Sequence, residues 1–157
     1  MMDIFAIDPG TTESGWIYIS DGVIKTFGID ENHAVIEHLK KLPADYNVVI
    51  EMIQHFGMPA GASLFETCVW IGRYEQAWMG RGSCHKLFRK EVKMHLCGSM
   101  KAKDGNIRAA LIDRYGPGKE RAIGLKKSPG PLYGVSSDVW AALAVAVTYW
   151  DKRKLPF

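Results

Sequence analysis

Cysteine is scarce in this chain and carries no pattern. Cys68, Cys84 and Cys97 are odd in number and form no CxxC pair. That argues against a disulfide framework and reads as reduced thiols in a cytoplasmic setting. A zinc site drawn from them and His55, His85 and His95 lacks the ligand spacing that such sites need. Long hydrophobic runs are missing as well, with nothing near the ~18 apolar residues of a membrane span. "MMDIFAIDPG" has no charged segment ahead of an apolar core, so no secretory leader is expected. No repeat, linker or low-complexity tract interrupts the 157 residues, a length that suits one domain.

Apolar residues are not scarce: they make up 47% of the chain, enough for a sizeable core. The net charge of +3 hides an asymmetry. Between Lys86 and Lys127 stand twelve Lys or Arg against four acids, a balance of +8, while the remainder carries −5. A one-sided surplus of this size suits a face turned toward a polyanion, although solvated surface lysines would give the same count.

Periodicity predicts the elements. Residues 3–8, 14–20 and 22–29 read as an antiparallel meander, with Asp21-Gly22 as a hairpin turn. A helix is expected over 31–42, a strand buried on both faces over 46–53, and a long helix over 62–79. A fifth strand is expected over 83–89, a helix over 104–115, a Gly- and Pro-rich loop over 116–135, and a last helix over 138–152. The order gives an α/β fold: a five-stranded mixed sheet, three strands antiparallel and then parallel, flanked by helices.

Three acids break this pattern. Asp8 ends the first strand, Glu51 interrupts "VVIEMI", and Asp138 opens the last helix. Each has an ordinary reading: a turn residue, a partner for a buried cation, a complement to the helix dipole. One site explains all three. If the first and fourth strands are neighbours, Asp8 and Glu51 lie side by side and Asp138 closes the set. Like charges this close need a cation, and oxygen-only ligands suit Mg²⁺ or Mn²⁺. Two such ions bridged by a carboxylate drive in-line attack of water on a phosphodiester.

The blocks "AIDPGTTESGW", "VVIEMI", "RKEVKMHL", "KDGNIRAALIDRYG" and "SSDVWAALAVAVTYW" together resemble the RuvC-type Holliday-junction resolvases, in particular their phage-encoded branch. The resemblance runs from about residue 3 to residue 150. It implies an RNase H-like fold, a homodimer, and Mg²⁺-dependent nicking of four-way DNA junctions with two ions per site. It places Asp8, Glu51 and Asp138 as metal ligands and Lys93 near the scissile phosphate. Lys103 is implied as a second basic residue, with Lys101 the alternative across a one-residue offset. In this family a fourth acid follows the third by one helical turn; here that place holds Ala141.

Within this frame Arg89, Lys90, Lys93, Lys101, Lys103, Arg108, Lys126 and Lys127 are expected to hold the DNA backbone. Phe56, with His55, is the candidate for stacking on an unpaired base. The helix "ASLFETCVWIGRYEQAW" is apolar on nearly all sides, so Leu64, Phe65, Val69 and Trp70 are expected at a dimer interface. "KKSPG" has no phosphate-loop signature, and no nucleotide cofactor is expected. Three rivals remain: a ribonuclease of the same fold acting on RNA–DNA hybrids, a non-catalytic junction binder, and an actin-like ATPase suggested by "DPGTT". The last would need two such domains.

Overall fold

Alternation decides which way each strand faces. In β1 (Asp3–Asp8) Ile4 and Ala6 point to one side of the sheet and Phe5 and Ile7 to the other, all buried. Residues 1–54, 57, 59–78 and 84–154 are described by the computed structural model. β1 pairs antiparallel with β2 (Glu13–Ser20), which pairs antiparallel with β3 (Val23–Glu31). Asp21 and Gly22, with φ of 47° and 81°, make the tight turn between β2 and β3. α1 (Asn32–Lys41) then crosses to β4 (Asn47–Met52), which runs parallel to β1. α2 (Ala62–Trp78) leads to β5 (Cys84–Phe88), parallel to β4. The sheet order is β3-β2-β1-β4-β5, the mixed arrangement expected.

Each face of the sheet has its own core. Phe5, Ile7, Val48 and Ile50 pack with Val35 and Leu39 of α1 and Trp70, Ile71, Tyr74 and Trp78 of α2. Ile4, Ala6, Ile17, Ile19 and Val49 pack on the other side against α6 (Asp138–Lys154). Residues 142–149 of α6 are buried without interruption, because the helix lies between the sheet and two further helices. Those are α3 (Arg89–Cys97) and α4 (Asp104–Tyr115). Its alanines keep it thin enough to sit there. Among the described residues no helix is long and apolar enough to cross a membrane.

Two expectations need correction. The segment 116–135 is not an open loop: it forms α5 (Lys119–Ala122) and a small hairpin of β6 (Gly124–Leu125) and β7 (Ser128–Pro129). Ala122 and Leu132 anchor it in the core, and the amide N–H groups of Gly130 and Leu132 each donate to a carbonyl at 2.8 Å, of Ile123 and Ala122 respectively. The second correction is Trp70. It is only 8% exposed, packs edge-on against His33 and lies under Arg73, so it belongs to this chain's own core and offers no surface to a partner. Phe65 and Val69 are exposed and Leu64 half-buried. α3 was not anticipated. Only Val92 of its residues is buried, so it shows little apolar period; the Glu91 carboxylate accepts from the Phe88 N–H at 2.8 Å and closes its first turn.

Candidate active site

The alternation that buries Ile4 and Ala6 puts Asp8 on the same face, toward α6. Val49 in β4 faces the same way, so Glu51 does too. Ile7 pairs with Ile50, which leaves Asp8 and Glu51 adjacent at the carboxyl ends of two parallel strands. Across the other edge of β1, Asp8 stands opposite Gly15 of β2. A Cβ on Gly15 would come within 2.6–2.8 Å of the Asp138 backbone and Cβ. Gly15 therefore lets the first turn of α6 sit directly on the sheet, which brings Asp138 over Asp8. We predict that Gly15→Ala forces that turn away and lowers stability by about 1–3 kcal/mol. The check is thermal melting, and an unchanged midpoint would mean that the helix has room to shift.

The turn after Asp8 is pinned from the opposite face. Buried Ser14 Oγ donates to Asn32 Oδ1 at 2.7 Å, is bonded to Tyr74 OH at 2.8 Å, and accepts from the Gly10 N–H at 3.2 Å. Asn32 Nδ2 donates to the Gly10 carbonyl at 3.0 Å. These residues fix the backbone that presents Asp8.

A cavity of about 280 Å³ is lined by Asp8, Glu51 and Asp138, by Arg89 and Asp104, and by Arg108, Trp140 and Ala141 on its walls. Burial pushes the Asp8 carboxyl up to about 8; Glu51 and Asp138 add to the rise, and Arg89 opposes it. Burial also raises Glu51, held back by Arg89 and Lys93. Oε2 of Glu51 is buried without a hydrogen-bond partner among the described residues. Oε1 lies 3.5 Å from the Arg89 guanidinium, which is also paired with Asp104. That ion pair holds the Asp104 carboxyl below its usual range.

The sequence-based set divides here. Asp8, Glu51 and Asp138 come together. Lys93 is half-buried on α3, with its charge acting on Glu51 and Asp104. Arg108 is exposed at the cavity wall, its guanidinium 5.2 Å from the Trp140 ring. Arg89, expected on the DNA backbone, is here engaged with the Glu51 and Asp104 carboxylates inside the site, which follows from its place at the start of α3 beside the end of β4. Lys101 and Lys103 are exposed just before α4, and Lys126 and Lys127 are exposed on the β6–β7 turn. Lys90 lines a separate cavity with Met94 and Met100. His55 and Phe56 lie outside the described residues. Asp104 was missed: an acid in the first turn of a helix reads as a dipole complement, and nothing local ties it to Glu51.

Sheet order, crossover pattern and the helix laid across the face define an α/β fold of the RNase H-like class, in its RuvC form. Among solved structures, Thermus thermophilus RuvC matches with a TM-score of 0.69 at 18% identity, covering 97% of this chain and 96% of that one. T. thermophilus RuvC in complex with Holliday junction substrate matches with a TM-score of 0.57 at 17% identity, covering 98% and 96%. No protein-family model matches the chain, and no curated protein does. At this identity the likeness is one of fold.

Proposed function

We propose that the chain is a metal-dependent endodeoxyribonuclease that resolves four-way or otherwise branched DNA, a homodimer placing paired symmetric nicks. The observation that carries this reading is the meeting of Asp8, Glu51 and Asp138 at one end of a RuvC-type sheet. The junction-bound state of the structural neighbour supports the choice of DNA.

The residues fit a hard divalent cation. The donors are all oxygens, one Glu51 oxygen is buried and unpartnered among the described residues, and burial, with Glu51 and Asp138 beside it, pushes the Asp8 carboxyl up to about 8 even with Arg89 nearby. As they stand, no three His, Cys, Asp or Glu side chains among the described residues enclose an ion. Arg89 supplies the compensating charge instead. Asp8, Glu51 and Asp138 would hold Mg²⁺ or Mn²⁺, two ions in the proposed form, which would activate water and offset charge on the leaving oxygen.

The chain's own groups do the rest. Lys93, on α3, is near enough for its charge to act on Glu51 and Asp104, and its proposed role is to pair with a phosphate oxygen drawn to the cavity. Arg108 and Trp140 at the wall offer a cation and a ring to the adjacent nucleotide. Exposed Lys101, Lys103, Lys126 and Lys127 extend the contact along the backbone. The exposed apolar pair Phe65 and Val69, with Leu64, supports α2 as the dimer face, since a two-fold axis would present two sites to a symmetric junction.

The test is a labelled synthetic four-way junction and a matched linear duplex with Mg²⁺ or Mn²⁺, comparing wild type with Asp138→Asn. Paired nicks on the junction alone, lost in the variant, support the proposal. Equal cutting of junctions, forks and flaps reduces it to a general branched-DNA nuclease. Cutting of RNA–DNA hybrids in preference moves it to a ribonuclease of the same fold. Tight binding without cuts in either metal favours a non-catalytic binder and directs attention to Ala141. In the same assay Lys93→Ala is expected to slow cleavage at least tenfold while weakening junction binding less than threefold; an unchanged rate would remove Lys93 from the site.

A further inference from the structure

We propose that Asp104 supplies the fourth carboxylate of the metal site, from the start of α4, in place of the acid that Ala141 does not provide. The inference rests on the metal-nuclease reading above. Ala141 and Asp104 line the same cavity, so the methyl group and the carboxylate face one space from two helices. Asp104 is not consumed in capping its own helix. The Lys103 N–H donates to Asn106 Oδ1 at 2.9 Å, so Asn106 does that work and the Asp104 carboxylate is left over.

What the carboxylate does instead is pair with Arg89, whose guanidinium also reaches Glu51 Oε1 at 3.5 Å. A single cation thus links Asp104 to the central Glu51. An isolated ion pair on a surface contributes little, and Asp104 itself is 82% exposed. The arrangement makes more sense as a site held together by a stand-in charge. Arg89 sits between Glu51 and Asp104, where a cation would neutralise both, and Glu51 keeps its other oxygen buried and without a hydrogen-bond partner among the described residues. Loading the site then releases Arg89, whose freed guanidinium lies at the cavity and can meet the DNA phosphate.

The experiment counts bound Mn²⁺ by the electron paramagnetic resonance signal of the free ion, for wild type and four variants. Wild type is expected to bind two ions. Asp104→Asn should bind one, or hold the second at least tenfold more weakly, with an unchanged melting temperature because the residue is exposed. Asp104→Asn combined with Ala141→Asp should recover the second ion. Arg89→Gln should bind Mn²⁺ at least as tightly as wild type, since a competing cation is gone; weaker binding would overturn the stand-in role. Asp104→Asn with two ions of unchanged affinity would overturn the inference and leave the three-acid site intact. Wild type binding no more Mn²⁺ than Asp8→Asn would overturn the metal reading itself, and this inference with it.

Discussion

Asp8→Asn is expected to abolish the proposed metal-dependent cleavage and, without metal, to melt higher than wild type. The reason lies in the proton that Asp8 keeps. Burial first, and then Glu51 and Asp138, push its carboxyl up to about 8 in the folded chain from an ordinary value of 3.8. Between those values the unfolded chain has released a proton that the folded chain retains. Folding stability therefore falls as pH rises from about 4 to about 8, by at most roughly 1.4 kcal/mol per pH unit. Glu51, raised by the same burial, adds in the same direction. Asparagine is never ionised and removes the Asp8 part of this penalty. Near pH 7.5, on the order of 2–4 kcal/mol is recovered, or roughly 5–10 °C for a chain of this size. Adding Mg²⁺ should reverse the order, stabilising wild type but not the variant. Because a cation must displace the retained proton, its affinity for wild type should also climb with pH up to about 8. Equal or lower melting of Asp8→Asn without metal, across pH 6–8, would mean that Asp8 is already ionised and that Arg89 alone satisfies the site.

Most of the frame was readable from pattern, and the reasons are specific. β1 and β4 are short apolar runs in which a single acid stands out, and one register places Asp8 beside Glu51. Asp138 was readable because it opens a helix that is otherwise almost wholly apolar. What escaped was held by contacts between segments distant in the chain. Gly15 looks like any glycine after a turn until α6 is laid on it. Ser14, Asn32 and Tyr74 share a buried network spread over 60 residues, with no local period to betray it. Arg89 and Asp104 sit fifteen positions apart and meet only when α3 and α4 fold against the sheet end. The apolar excess of α2 suggested a partner for Trp70, yet the two tryptophans of that helix fill this chain's own core. The helix buried on nearly every side is α6, made thin by alanine.

The other large effect is expected far from the carboxylates. Asp151 is 8% exposed near the end of α6 and joins three helices. It accepts two hydrogen bonds from the Arg114 guanidinium of α4, the Nη1 bond at 2.7 Å, and pairs with His95 Nε2 of α3 at 2.7 Å. Burial on its own would raise the Asp151 carboxyl; the bonds from Arg114 and His95 outweigh it and hold the group at about 2. Those are the helices that carry Lys93 in the middle of α3 and Arg89 and Asp104 at their first positions. Asp151→Ala leaves Arg114 without its acceptor and unties α3 and α4 from α6. The expected cost is roughly 2–4 kcal/mol, below the top of the range for buried pairs because the Arg114 side chain is 30% exposed and can regain water. Melting should fall by roughly 10 °C. A folded-state value below the unfolded one means that this stability is present above about pH 4 and is lost as pH falls toward 2. The acid limb of unfolding should therefore be steeper in wild type than in the variant. Replacing the pair together, Asp151→Leu with Arg114→Met, removes both charges and should recover much of the loss. If that double variant melts no higher than Asp151→Ala, then the unpaired arginine is not the cause, and packing lost around the end of α6 is.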